Sequence, residues 1–219
     1  MSYSEFTLEE LKSKFNLTIQ EQVALFQAIE PVKPSPLLRD ILEENIPLAL
    51  GVDTEKARSE LIVAPILVDL RKSFQRQISI FSGSEFTVDK SRGLNGRCDF
   101  IISHSPELLS INAPVVIIVE AKNDNIKSGM AQCIAEMIAA QVLNKNSDRS
   151  ADGPKNLDIP CIYGSVTTGS IWKFLRLEAT TVYIEQGEHY LENLESILGI
   201  LSHMVRTTRP NNIGGDKKQ

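Results

Sequence analysis

A run of apolar residues at positions 115–119, Val-Val-Ile-Ile-Val, ends abruptly in Glu120-Ala121-Lys122. Five consecutive apolar residues with β-branched side chains predict a strand buried on both faces. On either side the periodicity changes. Ile126, Met130, Cys133, Ile134, Met137 and Ile138 recur every three or four residues, which predicts a helix over about 126–143 with one apolar stripe. Upstream, 77–89 (with a Ser-Gly-Ser turn at 82–84) and 96–103 alternate partially and read as strands. Downstream, 159–178 reads as two strands around a Thr-Gly-Ser turn, 180–186 as another strand, and 191–207 as a closing amphipathic helix.

The first 50 residues read as helices. Thr7 with Glu10 and Thr18 with Glu21 both have capping-box spacing. The prolines at 31, 34 and 36 interrupt that run, and a short helix follows over 37–44. Asp53 is expected to cap a longer helix through 74, kinked or restarted at Pro65. Residues 144–156 are polar and read as a loop, and 209–219 as a disordered tail. The order is α-β-β-β-α-β-β-β-α after the N-terminal helices: an α/β fold with a mixed central sheet flanked by helices. The expected organisation is a helical extension over 1–52 packed on a domain over 53–208.

Composition narrows the function. The chain has 219 residues, 42% hydrophobic and 23% charged, as in ordinary globular proteins. A net charge of −5 argues against nucleic-acid binding by bulk electrostatics. Contact with DNA would need a local patch, metal ions or a protein partner. Lys90, Arg92, Arg97, Lys122 and Lys127 are candidates for such a patch. The N-terminus is acidic and amphipathic, unlike a secretory signal, and no apolar run is long enough to span a membrane. Cys98, Cys133 and Cys161 lack metal-ligand spacing and read as buried thiols of a cytoplasmic protein. His104, His189 and His203 are scattered and read as structural. Neither a GxGxxG nor a Walker-type loop is present.

Strand alternation puts Glu120 and Lys122 on one face. Asp99 lies in the preceding strand, so pairing of the two strands would bring it beside Glu120. Glu60 can join from the helix in front. Carboxylates of this kind hold Mg²⁺ or Mn²⁺, and a lysine beside them can serve an attacking water. The plain alternative is a strand end reaching solvent in an ion pair. Arg97 reads as a brace for its turn, and Trp172 as a packing residue rather than a base-stacking one.

Four stretches, "SELIVAPIL", "NGRCDFII", "VVIIVEAKND" and "MAQCIAEM", together resemble the PD-(D/E)xK phosphodiesterase superfamily, and especially the N-terminal nuclease domain of type I restriction enzyme subunits. A hairpin like "VTTGSIWKF" is also common there. The resemblance spans roughly 53–185. It implies a restriction-endonuclease-like αβββαβ core and Mg²⁺-dependent (or Mn²⁺-dependent) hydrolysis of DNA. It implies Asp99, Glu120 and Glu60 as metal ligands, Lys122 serving the nucleophilic water, and Gln132 as the family's helix glutamine. Two departures stand out. Cys98 precedes the aspartate where the family often has proline, and Glu136 and Met137 stand near the place of a family tyrosine. The alternative function is a non-catalytic binding or assembly subunit of the same fold. The apolar closing helix suits covering the sheet or pairing with a second copy.

Overall fold

The computed structural model describes residues 1–149 and 159–209. The end of the predicted polar loop and the tail from 210 lie outside them. The chain forms an α/β fold around one mixed sheet of eight strands, with helices on both faces.

In chain order the main elements are α1 (Leu8–Phe15), β1 (Thr18–Val23), α2 (Pro36–Val52), α3 (Glu55–Arg58), α4 (Ala64–Ser73), β2 (Ser79–Glu85), β3 (Arg97–Ser103), β4 (Val115–Ala121), α5 (Ile126–Arg149), β5 (Ile162–Thr167), β6 (Ile171–Glu178), β7 (Thr181–Glu185), β8 (His189–Tyr190) and α6 (Leu194–Thr207). Across the sheet the strands run β1-β7-β6-β5-β4-β3-β2, with β8 beside β6. β1 with β7 and β4 with β5 are parallel; the other pairs are antiparallel.

Every residue of β4 is buried, which explains its lack of alternation. Ile117 and Val119 face a core shared with α2, α4 and α6. Ile118 faces a second core built with α1 and α5. The closing helix α6 covers the sheet: Ile197, Leu198, Ile200, Leu201, Met204 and Val205 are all buried within the chain. Trp172 is fully buried, so it packs. All three cysteines are buried free thiols. Among the described residues no helix is long and apolar enough to cross a membrane.

Several local expectations are corrected. Residues 1–52 are not all helical. Thr18 caps no helix; it opens β1, and its N–H donates to the Thr180 carbonyl at 2.9 Å. The exposed edge of β7 outweighs the local capping pattern, because pairing satisfies a row of backbone groups at once. Asp53 ends α2 in a left-handed conformation (φ 52°), and Thr54 caps α3 instead. The Ser-Gly-Ser segment is no turn; it continues β2, with Gly83 at φ 58° as a local kink. The 37–44 helix extends over all of α2, and the 126–143 helix continues to Arg149.

Pro65 stands in the first turn of α4, so an α-helix restarts there as expected. One π-helical turn over Ser59–Val63 joins α3 to α4. Proline has no N–H for the carbonyl four residues back, that of Leu61. Asn45 of α2 fills the gap, its Nδ2 donating to Leu61 O at 2.9 Å.

Candidate functional site

β3 and β4 pair antiparallel with Phe100 opposite Val119, so one step further Asp99 lies across from Glu120. Both side chains project toward α5, on the face of Ile101 and Ile118. Asp99 Oδ2 accepts the Ala121 N–H at 2.8 Å, fixing the carboxylate against the end of β4. On the other side, Lys122 N–H donates to Thr167 O at 2.8 Å, extending the β4–β5 ladder by one residue. The backbone thus clamps Glu120 and Lys122 between two neighbouring strands.

Lys122 Nζ donates to Glu120 Oε1 at 2.5 Å and lies 3.8 Å from Glu55 Oε2 of α3. Its side chain is 17% exposed, whereas that of Glu120 is 1% exposed. Gly129 in the first turn of α5 makes room for the lysine stem. A Cβ there would lie 2.7 Å from Val166 Cγ1 and 3.1 Å from Lys122 Cγ. The adjoining β5–β6 turn is held by Thr167, whose Oγ1 donates to Ile171 O and accepts from Gly169 N–H. Arg58 braces it from outside, donating to Thr168 O at 3.2 Å while pairing with Asp53 at 2.9 Å.

Burial, and then the neighbouring Asp99 charge, raise the Glu120 carboxyl to about 8, despite the opposing pull of Lys122. Burial likewise raises Asp99, against its bond from Ala121 N–H and the lysine charge. Burial pulls Lys122 down, but the carboxylates of Glu120, Glu55 and Asp99 outweigh it and leave the ammonium above its ordinary range.

Asp99, Glu120 and Lys122 therefore meet at one end of β4. Glu60 does not join them. It lies on the outer side of the π-helical turn, 61% exposed, and pairs with Lys56 at 3.0 Å. The inner side of that helix belongs to Ile62, Val63, Ile66 and Leu67, which leaves position 60 turned away. Glu55, one turn earlier, is the helical acid beside the lysine. Gln132 is close to the site at one remove: its Nε2 donates to Glu136 Oε1 at 3.1 Å. Glu136 is fully buried, and its Oε2 has no hydrogen-bond partner. One signal in the sequence points to it: Glu136 is the sole charged residue between Lys127 and Lys145, set in an apolar run. Glu55 carries no such signal. Arg97 is a brace, donating to Gly83 O at 2.6 Å. His104, His189 and His203 lie elsewhere, against Thr208, Phe174 and Phe26.

No protein-family model and no curated protein matches this chain.

Among the described residues, no three His, Cys, Asp or Glu side chains gather closely enough to cage a metal. Two carboxylates do meet, and one buried oxygen, Glu120 Oε2, has no partner. Mg²⁺ commonly takes one or two carboxylates and completes its shell with waters and substrate oxygens, so the donor set fits that ion. A cation there would also relieve the repulsion between Asp99 and Glu120.

Proposed function

We propose that the chain is a metal-dependent nuclease domain of the restriction-endonuclease-like kind, hydrolysing phosphodiester bonds in DNA. One observation carries this reading. Asp99 and Glu120 converge beside an ammonium group, and one of their buried oxygens has no partner in the protein. The element order α4-β2-β3-β4-α5-β5 agrees with the αβββαβ core that the sequence resemblance implies.

In this reading Asp99 and Glu120 hold Mg²⁺ or Mn²⁺, which when bound would acidify a water and offset charge on a phosphate oxygen. The Asp99 carboxylate is pre-set by the Ala121 N–H, so little side-chain freedom is lost on binding. Lys122 points its ammonium across the same edge, where it can orient the attacking water or a phosphate oxygen. Glu55 gives Lys122 a second acidic neighbour, so the lysine can release Glu120 Oε1 without becoming unpaired. A protein partner would supply sequence selectivity, since the chain carries net charge −5.

A second reading is a non-catalytic DNA-binding or assembly subunit. It is favoured by the oxygens already spent: Glu120 Oε1 on Lys122 and Asp99 Oδ2 on Ala121 N–H. Nicking of supercoiled plasmid in Mg²⁺ or Mn²⁺, with a chelator control, separates the two. Metal-dependent nicking should fall by roughly 10²–10³-fold in Glu120→Gln and in Lys122→Ala. Equal nicking by wild type and both variants rejects the assignment. Absence of nicking, with Mn²⁺ binding also absent, favours the second reading.

A further inference from the structure

At the end of the sheet remote from Glu120, cationic side chains gather without acidic partners. Helix α4 stops at Ser73. The turn after it is fixed by backbone bonds from Gln75 N–H to Lys72 O, Arg76 N–H to Arg71 O and Gln77 N–H to Phe74 O, each at 3.0 Å. The end of α6 meets this turn. The Arg206 guanidinium carbon lies 6.0 Å from the centroid of the buried Phe74 ring, and that of Arg209 lies 5.6 Å from the same centroid. Ser73, Phe74, Gln75, Gln77, Arg206 and Arg209 line most of an open hollow of about 450 Å³, and no Asp or Glu lines it.

Among the described residues neither arginine forms an ion pair, nor do Arg71, Lys72 and Arg76 of the adjoining turn. Two guanidinium groups gathered on one ring repel each other, and no acid in the wall offsets them. Neighbouring groups register that charge. Burial first, and then Arg209, holds His104 below its ordinary range; burial and then Arg206 do the same at His203. The shared ring restricts both guanidinium groups, so less freedom is lost when they bind. Arginine forks match the oxygens of a phosphate and hold them by paired hydrogen bonds. Gln75 and Gln77 add amide donors at the rim. The Ser73 hydroxyl adds none, since it donates to Leu70 O at 2.7 Å.

This hollow is not the edge that carries Asp99 and Glu120. Gln77 leads into β2, whose Ser79 pairs with Ser103, and Ser103 pairs with Val115 at the start of β4. Glu120 is at the other end of that strand, roughly 17 Å along it. A phosphate held in the hollow is therefore not one being cleaved. We propose that Arg206 and Arg209 form a phosphate-binding site separate from the carboxylate site. It stands whether or not Asp99 and Glu120 hold a cation. The phosphate belongs either to a small ligand or to a nucleic-acid backbone, and two probes tell these sources apart.

The test uses the full chain in EDTA, so that cleavage plays no part. Pyrophosphate is titrated by calorimetry, and a short fluorescein-labelled DNA duplex by anisotropy at several salt concentrations. The variants are Arg206→Gln with Arg209→Gln, and Arg206→Lys with Arg209→Lys. Lys12→Gln with Lys14→Gln removes the same charge from α1 as a control. The glutamine pair should weaken binding of at least one probe by about tenfold or more. The lysine pair should recover part of it, and the control should match wild type. Loss of pyrophosphate binding alone assigns the site to a small ligand. Loss of duplex binding, with a salt slope lower by about 2, assigns it to a nucleic-acid backbone. Wild-type protein that binds neither probe would overturn the proposal. So would a control as weak as the glutamine pair, since net charge alone would then act. A glutamine pair that melts lower than wild type yet binds both probes normally would also overturn it, leaving the arginines to complement the carbonyl end of α6. Plasmid nicking in Mg²⁺ is read separately, so its absence would reject the nuclease reading and leave this site standing.

Discussion

Helix α5 grips β4 at both ends, and the two grips differ. At the start of the strand Asn144 is 6% exposed and fully used: Val115 N–H donates to its Oδ1 at 2.9 Å, and its Nδ2 donates to Val115 O at 2.7 Å. Two turns of helix earlier, at the other end of the strand, Glu136 and Glu120 are at least as deeply buried, and each leaves an oxygen without a partner. The amide at one end converts buried polarity into stability. The acids at the other end leave it unspent, which is costly to the fold unless a ligand completes it. One helix and one strand thus separate a structural anchor from a site by how completely their polar groups are satisfied.

The largest effect on stability is expected at the satisfied end. Asn144→Ala removes two hydrogen bonds and leaves the Val115 N–H and C=O facing an apolar pocket. At about 1–3 kcal/mol for each buried unpaired group, unfolding in urea should be easier by roughly 2–5 kcal/mol. Mn²⁺ affinity measured well below the melting temperature should be unchanged. Glu120→Gln should show the reverse: a fold as stable as wild type or more so, and lost metal binding. If Glu120→Gln unfolds as readily as Asn144→Ala, the two ends are equivalent and the contrast is wrong.

pH sharpens the contrast, because an amide does not titrate. Glu120 sits at about 8 in the folded protein against an ordinary value of 4.5. Between those values the folded chain keeps a proton that the unfolded chain has released. Stability contributed by that proton is complete below about pH 4.5 and is lost as pH rises to 8. Burial pushes Glu136 and Asp99 in the same direction. The metal-free protein should therefore weaken toward pH 8 by a few kcal/mol. Glu120→Gln should flatten much of that slope, and Mn²⁺ should restore stability at the alkaline end. A wild-type slope equal to that of Glu120→Gln would show that the carboxyl is not held in its neutral form.

The central sheet was legible because its signal is burial itself. The run ending in Glu-Ala-Lys reads as a two-faced strand, and strand pairing alone brings Asp99 beside Glu120. The acidic partner on the helix in front was not legible. Positions 55 and 60 are both acidic on a helical stretch, and which of them faces the sheet is decided by Ile62 and Val63 packing inward. The π-helical turn that absorbs Pro65 cannot be read locally either, since it depends on Asn45 arriving from α2. β1 was misread for a similar reason: Thr18 and Glu21 have helix-capping spacing, and a distant strand edge overrules them. Gln132 was legible by type but not by role, because its bond to Glu136 is set by how α5 packs its buried side on the sheet.

The smallest effect tests that placement of the helical acids. Glu60 is paired with Lys56 in solvent, and exposed pairs one helical turn apart contribute about 0.3–0.5 kcal/mol. Glu60→Ala should shift the unfolding free energy by no more than about 0.5 kcal/mol and leave Mn²⁺ binding and plasmid nicking at wild-type levels. Glu55→Gln leaves Lys122 with one acidic neighbour fewer, so nicking should fall several-fold with little change in Mn²⁺ affinity. The metal ligands themselves, Asp99 and Glu120, are untouched by it. Should Glu60→Ala instead weaken Mn²⁺ binding as much as Asp99→Asn does, position 60 would turn inward when the cation binds. The acidic set implied by the family resemblance would then replace the one seen at the end of β4.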